Sequence, residues 1–223
     1  MSTAPARSGR DSAQVSAPVA ITAPRPALPP HAPGLRIGLF GGSFNPPHQA
    51  HRAVSLLALK RLQLDRVWWL VTPGNPLKDT RRLPPLAARM KAAEALAADR
   101  RIVVTGLEAA LGTVYTADTL RALRHHAPGV RFVWLMGADN LSTLHLWRNW
   151  QEILHLVPIA VIDRGDAGLK AMAAPAARAF ARFRIPEQQA ATLAQRDPPA
   201  WLFLHGVKSA LSSTALRQRS GGE

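Results

Sequence analysis

The sequence of 223 residues has no cysteine, which excludes disulfide bonds, thiolate zinc sites and a cysteine nucleophile. It also has no apolar run close to the ~18 residues that a membrane-spanning helix needs. A chain without disulfides or membrane spans is expected in the reducing cytoplasm, with no membrane partner. At this length, with 47% apolar residues, one domain can bury most of its unfolded surface in a single core.

Acidic residues are scarce as well. The chain has 14 Asp and Glu against 28 Lys and Arg, which gives a net charge of +14. Such a charge favours anionic partners, whether nucleic acids, membrane surfaces or phosphorylated metabolites. The basic residues are scattered, however, and form only short pairs such as Arg81-Arg82 and Arg100-Arg101. Charge alone therefore favours a solvated basic surface and no nucleic-acid partner, with a basic nucleic-acid-binding module as the alternative.

Large apolar residues are almost absent from residues 1–34, which contain seven prolines. Such a segment cannot bury enough surface to offset its ordering entropy, so we expect a disordered extension. From residue 35 onward, short runs rich in β-forming residues alternate with stretches of helical periodicity. The sequence therefore predicts two parts, an extension over 1–34 and a folded domain over 35–223.

Strands that alternate with helices of ordinary length predict parallel β-α-β units, and hence a doubly wound α/β sheet. The pattern weakens over residues 166–200, which we interpret as a variable excursion. The predicted strands are 36–40, 66–71, 102–105, 131–136, 158–163 and 201–204, and the predicted helices lie near 49–63, 85–98, 116–126 and 138–155.

The stretch "GLFGGSFNPPHQAH", residues 38–51, leaves the first predicted strand and enters the first predicted helix. Gly41 and Gly42 allow the backbone to approach a ligand closely or to take positive φ, and the two prolines fix the loop. Free amides of the first helical turn favour anions, and His48 and His51 lie on one face of that turn. No Walker P-loop or dinucleotide fingerprint is present. The histidines could bind phosphate, cap the helix or supply two metal ligands, although no suitably spaced acidic third ligand follows.

A second candidate site is "LSSTALRQR", residues 211–219. Ser212, Ser213 and Thr214 are residues that commonly cap a helix N-terminus, and Arg217 falls one turn later on the same face. Hydroxyls, free amides and a guanidinium would converge there on an anion. A plain helix cap explains the serines but gives Arg217 no role.

These two segments together resemble the signatures of the nucleotidylyltransferase superfamily, an HxGH turn after the first strand and a late SSTxxR helix start. They read His48-Gln49-Ala50-His51 and Ser212-Ser213-Thr214-Ala215-Leu216-Arg217. The similarity is greatest to the bacterial nicotinate-nucleotide adenylyltransferases, whose turn reads GGSFDPxHxGH. Further similar segments follow in the family's order, namely "TPGNPLK" (72–78), "YTADTLRALR" (115–124) and "LMGADNLSTLHLWRNWQEIL" (135–154). The resemblance implies a Rossmann-like fold.

The family reaction transfers AMP from ATP to nicotinate mononucleotide and yields nicotinate adenine dinucleotide and pyrophosphate in NAD biosynthesis. The attacking phosphate oxygen is ionised at neutral pH, so no general base is needed. The resemblance implies ATP and the mononucleotide as partners, Mg²⁺ as a cofactor bound with the ATP phosphates rather than a metal held by the protein, and a possible homo-oligomer. Sister enzymes acting on nicotinamide mononucleotide or phosphopantetheine are the alternatives within the same chemistry.

The resemblance also implies roles for individual residues. It makes His48, His51 and Arg217 the catalytic residues, acting on the ATP phosphates. Further ATP-binding residues are Gly41, Gly42, Ser43, Phe44, Gly137, Asp139, Arg164, Ser213 and Thr214. The mononucleotide side comprises Asn75 and Lys78 at the phosphate, Tyr115 and Trp147 near the pyridine ring, and backbone near Thr116 and Arg148 at its carboxylate.

Several of these assignments have structural alternatives. Asp139 would bond the adenosine ribose, but it also stands where a helix cap is expected. Trp147 could be an ordinary core aromatic, and Arg164 a solvated arginine. Two departures from the family pattern lie in the first turn, where Ala50 replaces a glycine and Asn45 replaces an aspartate that would carry charge near the phosphates.

Overall fold

The computed structural model describes residues 26–74, 83–163 and 168–206. In these residues six parallel strands form one sheet with the spatial order β3-β2-β1-β4-β5-β6. The strands are β1 (Arg36–Gly42), β2 (Arg66–Val71), β3 (Ile102–Thr105), β4 (Arg131–Gly137), β5 (Ile159–Ile162) and β6 (Trp201–Leu204). The order reverses beside β1, so the sheet is doubly wound and Rossmann-like, as the sequence predicts.

Three strands, β2, β3 and β6, have the predicted bounds, and β5 is one residue shorter at each end. The strands β1 and β4 run further than predicted, through Gly41 and Gly42 and through Gly137. The reason is pairing, because Gly41 and Gly42 stand opposite Leu70 and Val71 of β2. A ladder in the centre of a sheet extends a strand into residues that intrinsically disfavour one.

The first half of the chain has the helices α1 (Gln49–Arg61), α2 (Leu86–Ala97), α3 (Leu107–Leu111) and α4 (Thr116–His126). The short α3 follows β3 and has no counterpart among the predicted helices. The other three fall where the apolar periodicity and the flanking prolines place them. Each crosses from the carboxyl end of one strand towards the amino end of the next, as a parallel sheet requires.

The prediction of one helix over 138–155 is wrong. That stretch contains α5 (Ala138–Thr143), a 3-10 turn at Leu144–Leu146 and α6 (Trp150–Leu156). Extended backbone at Trp147 and left-handed backbone at Asn149, with φ of 52°, interrupt the helical path. Over the excursion follow α7 (Gly168–Met172), α8 (Pro175–Ala179) and 3-10 turns at Ala181–Phe183 and Glu187–Gln195.

Both faces of the sheet are buried, which explains why its strands read as continuous apolar runs. Along β2, Trp68 and Leu70 point into the cluster covered by α4, α6 and α8, whereas Trp69 and Val71 point into the cluster beneath α1 and α2. No helix within the described ranges is long and apolar enough to cross a membrane.

The N-terminal segment makes its first described contacts before residue 35. Leu28 packs against the core, and the Gly34 N–H donates to the carbonyl of Gly129 at 2.7 Å. Of the predicted extension over 1–34, residues 1–25 lie outside the described residues, and their disorder stays a prediction. The chain therefore packs against the domain from about Leu28.

Candidate active site

The strand order reverses between β1 and β4, and their carboxyl ends open into a common crevice. The chain leaves β1 towards α1 on one face of the sheet and leaves β4 towards α5 on the other. This arrangement places the turn after Gly42 and the segment Gly137–Asp139 at one edge, which is where open α/β sheets bind ligands.

His48 and His51 meet at the start of α1, as the sequence predicts. Their ring centroids are 3.8 Å apart, and the residues are 5% and 8% exposed. His48 is the last residue before the helix, with extended backbone, and its N–H donates to Nδ1 of His51 at 3.1 Å. Because Nδ1 accepts this bond, the neutral His51 ring carries its proton on Nε2, which can donate to an anion. The pair thus caps the helix.

The His51 ring is held by an aromatic stack that the sequence did not indicate. It packs against Phe44 at 4.7 Å between centroids, and Phe44 stacks on Trp69 at 5.0 Å. The Trp69 indole N–H donates to Ser55 Oγ at 2.7 Å, and that hydroxyl donates to the His51 carbonyl at 2.9 Å. Phe44 is 1% exposed, so its ring supports His51 and only its backbone can meet a ligand.

The two glycines of the turn serve packing rather than unusual backbone conformation. A Cβ at Gly41 would lie 2.7 Å from the Trp134 ring, so only glycine lets β4 pack there. Neither Gly41 nor Gly42 has positive φ; instead Phe44 takes the left-handed conformation, with φ of 47°. Of the two reasons that the sequence suggested for these glycines, the positive φ is therefore wrong. The strain sits at Phe44, where burial of its ring offsets it.

The turn is tied to β2 by Arg89, a residue that the sequence analysis missed. Arg89 lies in α2 and is 3% exposed. Its guanidinium donates to the carbonyl oxygens of Ser43 and Thr72, both at 2.8 Å. Burial lowers the pKa of this guanidinium from its ordinary value. A lone arginine in a helical stretch carries no sequence signal that separates this role from a solvated one.

A second missed residue is Glu108 of α3, which is 5% exposed. Burial raises the pKa of the Glu108 carboxyl, and hydrogen bonds from the hydroxyls of Thr72 and Thr119 oppose that rise. The Thr119 hydroxyl lies 3.3 Å from both Glu108 Oε1 and the Tyr115 carbonyl. This buried polar group therefore joins the end of β2 to the start of α4.

Residues predicted for the pyridine side come together from two segments. Tyr115 directly precedes α4, and the Arg148 guanidinium lies 4.7 Å from the centroid of its ring. Trp147 is half-buried and packs against the core, so the alternative of a core aromatic accounts for part of its surface. Thr116 begins α4, which turns the first free amides of that helix towards the same edge.

On the adenosine side, Gly137 ends β4 and Asp139 lies exposed in the first turn of α5. Six further predicted residues lie outside the described ranges, and their roles remain predictions: Asn75, Lys78, Arg164, Ser213, Thr214 and Arg217. Among the described residues, no group of three His, Asp or Glu side chains is placed to hold a metal ion.

Comparison with known proteins agrees with this geometry. The family model described as cytidylyltransferase-like matches residues 39–219. A relative from a Bradyrhizobium species, named a probable nicotinate-nucleotide adenylyltransferase, is 61% identical over 84% of this chain and 97% of its own length. Relatives of the same name are 62% identical in Methylorubrum extorquens, over 83% of this chain and all of that one, and 53% identical in Brucella abortus, over 82% and 95%.

A solved structure agrees in fold. The nicotinic acid mononucleotide adenylyltransferase of Plasmodium falciparum, in complex with NaAD, superposes with a TM-score of 0.61 over 82% of this chain and 83% of its own. At 18% identity this likeness concerns the architecture alone. The match of the family model and the identity to the bacterial relatives go further: the chain belongs to the cytidylyltransferase-like family and, within it, to the nicotinate-nucleotide adenylyltransferases.

Proposed function

We propose that this protein transfers AMP from ATP to nicotinate mononucleotide, producing nicotinate adenine dinucleotide and pyrophosphate. The observation that carries the proposal is the buried His48–His51 pair at the N-terminus of α1, beside the carboxyl ends of β1 and β4. The names of the bacterial relatives, at 53–62% identity, give a nicotinate nucleotide as the acceptor and adenylyl as the transferred group, which supports the proposal. We also propose a cytoplasmic location, as expected for a chain without disulfide bonds.

The chemistry requires one substitution at phosphorus. An oxygen of the mononucleotide phosphate forms a bond to the α-phosphorus of ATP, while the bond from that phosphorus to the bridging oxygen of the leaving pyrophosphate breaks. The attacking oxygen is already ionised, so no residue has to remove a proton. The protein's task is to position the two substrates and to stabilise the charge that moves onto pyrophosphate.

On the ATP side, Nε2–H of His51 and the free amides of α1 would donate to phosphate oxygens. His48, Ser213, Thr214 and Arg217 would complete that set in our proposal. Mg²⁺ would supply positive charge to the triphosphate. The described histidines and helix amides are nitrogen donors, which suit phosphate oxygens better than Mg²⁺.

On the mononucleotide side, we propose that the backbone near Thr116 and Arg148 holds the pyridine carboxylate, with the Arg148 guanidinium, 4.7 Å from the centroid of the Tyr115 ring, as nearby positive charge. Amides at the start of α4 would add donors at the same place. A site made of donors favours a carboxylate over a carboxamide, whose NH₂ would face other donors. We therefore propose a preference for nicotinate over nicotinamide mononucleotide, with Trp147 against the pyridine ring and Asn75 and Lys78 at the phosphate.

The test is pyrophosphate release from ATP and Mg²⁺ with nicotinate mononucleotide, nicotinamide mononucleotide and phosphopantetheine as parallel acceptors. We expect release with nicotinate mononucleotide at the highest kcat/KM. Release with none of the three would contradict the enzyme assignment, and a higher kcat/KM for another acceptor would contradict the substrate.

A further inference from the structure

Arg89 occupies an unusual position for a charged residue. It lies on α2 and is 3% exposed, and among the described residues its hydrogen bonds all end on backbone carbonyl oxygens. Nη1 donates to Ser43 O and Thr72 O at 2.8 Å, and Nη2 to Pro73 O at 3.5 Å. Nε donates to Pro84 O at 2.9 Å. One guanidinium thus joins three separate stretches of backbone.

The position of these carbonyls in the sheet explains what the guanidinium replaces. The β1–β2 ladder ends where Gly42 stands opposite Val71, and the Thr72 N–H donates to Gly42 O at 3.0 Å. One residue further on, the strands diverge, and Arg89 bridges Ser43 O and Thr72 O with a single nitrogen. The side chain therefore continues the connection between the two strands beyond their last backbone hydrogen bond.

Burying a charged group is costly, and among the described residues the guanidinium is compensated by backbone carbonyl oxygens. The planar guanidinium is the one side-chain cation with donors that diverge widely enough to reach three backbone segments. Lysine would bring the same charge but a single nitrogen. The arrangement accordingly selects for the shape of arginine and not only for its charge.

The carbonyl of Ser43 leads directly into the catalytic turn. The next residue is Phe44, whose backbone is strained. Its buried ring packs against the His51 ring, with 4.7 Å between the centroids. Movement of Ser43 would therefore reach the His51 ring through one residue. On the other side, Thr72 and Pro73 directly follow β2 and lead towards the proposed mononucleotide loop.

We propose that Arg89 is a positioning residue, which holds the turn after β1 against the end of β2 and thereby sets the place of His51 relative to the ATP phosphates. The inference rests on the proposed function, because it assigns Arg89 a part in that reaction. Displacement of a reacting group by about 1 Å can lower a rate by about 100-fold. We therefore expect the loss of this one contact set to act mainly on ATP.

The test uses Arg89→Lys and Arg89→Gln in the full-length protein, with Arg36→Lys as the matched control. Arg36 also joins β1 to the start of β2, through Asp65, but at the amino end of the strands. We expect folded Arg89→Lys to show a KM for ATP raised at least threefold and a kcat/KM for ATP lowered by about 10- to 100-fold. Arg36→Lys should stay within twofold of the wild type in both. Circular dichroism and thermal melts fix an assay temperature at which all variants are folded.

Each other outcome contradicts the proposal. In variants that are folded at the assay temperature, a KM for ATP that stays constant would show that Arg89 does not act on ATP through the position of His51, and it would make Arg89 a structural residue. The same conclusion follows if both Arg89 variants fail to fold while Arg36→Lys folds. Wild-type protein that releases no pyrophosphate with any acceptor would instead contradict the proposed function, so the two failures are distinguishable.

Discussion

The two ends of the β1–β2 strand pair are each closed by an arginine, and the two arginines differ in surroundings. At the amino end, Arg36 bonds the Asp65 carboxylate at 3.0 and 3.2 Å, with both side chains about a third exposed or less. At the carboxyl end, Arg89 is buried. Among the described residues, its hydrogen bonds all go to backbone carbonyl oxygens. Water therefore has access to part of the first interaction, whereas Arg89 is only 3% exposed. The fold thus concentrates buried polar groups at the edge where the substrates are expected to bind.

Among substitutions at this carboxyl edge, we expect His51→Ala to have the largest effect on activity. Replacement of His51 by alanine removes the Nε2–H donor and one member of the aromatic stack. We expect kcat to fall by about 100- to 1,000-fold, the range for loss of one preorganised donor at a developing charge. Pyrophosphate release measures the effect, with His125→Ala, exposed at the end of α4, as the control.

Circular dichroism must show that His51→Ala remains folded for this comparison to hold. Turnover near the wild-type value would remove His51 from the mechanism. Arg217→Ala carries the same expectation from the resemblance alone, since Arg217 lies outside the described residues.

The turn at His48 and His51 illustrates how far a sequence can predict a site. Its spacing alone placed both rings on one helical face, because helix geometry is local and periodic. The support of that face was not predictable, since Trp69 and Arg89 reach it from elements that follow later in the chain. No period or motif links Ser43 to Arg89; their contact arises only when the sheet brings two strand ends together.

The same limit explains the error over residues 138–155. The apolar spacing there is compatible with one helix, and no proline interrupts it. The break depends on left-handed backbone at Asn149 and on the packing of Trp147 against the core, which are tertiary features. Local propensity predicted the strands better because their runs are buried on both faces.

The aromatic stack that supports His51 allows a comparison between two neighbouring tryptophans of β2, Trp69 and Trp68. Trp69→Phe keeps a ring next to Phe44 but removes the indole donor to Ser55. Trp68→Phe is the matched control on the opposite face, because the Trp68 indole N–H has no hydrogen-bond partner among the described residues. We expect Trp69→Phe to lower the free energy of unfolding by about 1–2 kcal/mol more than Trp68→Phe.

Urea unfolding of both variants measures this difference. We also expect a severalfold lower kcat for Trp69→Phe alone, because the Ser55 hydroxyl bonds the His51 carbonyl. Equal losses of stability in the two variants would show that only ring volume matters at Trp69.

The pH dependence of stability tests the contribution of Glu108 at the buried carboxyl edge of the sheet. Burial raises the pKa of its carboxyl, so the folded protein holds this proton more tightly than the unfolded chain does. Its contribution is therefore most favourable at low pH and is lost as pH rises above the ordinary value of 4.5 towards the raised pKa. Glu108→Gln removes that loss, and we expect its melting temperature to rise relative to the wild type as pH increases.

Melting curves of the wild type and Glu108→Gln from pH 4 to pH 8 check this sign. In a chain of this size about 1 kcal/mol corresponds to about 2–4 °C, which such curves resolve. Glu94→Gln, an exposed change on α2, is the control. A difference between Glu108→Gln and the wild type that does not vary with pH would mean that the carboxyl is not ionised differently in the two states.

The smallest effect is expected at the exposed end of the strand pair. Hydrogen bonds from Arg36 lower the pKa of the Asp65 carboxyl, so this pair stabilises the fold above the ordinary value of 3.8 and loses that contribution as pH falls through the lowered pKa. We expect Arg36→Met to lower the free energy of unfolding by about 0.2–1 kcal/mol at pH 7, less in high salt, and by nothing below both pKa values. Urea unfolding at pH 7 and at a series of lower pH values measures it. A loss at pH 7 as large as that of Trp69→Phe would remove the contrast, because the amino end would then depend on buried polar contacts as the carboxyl end does.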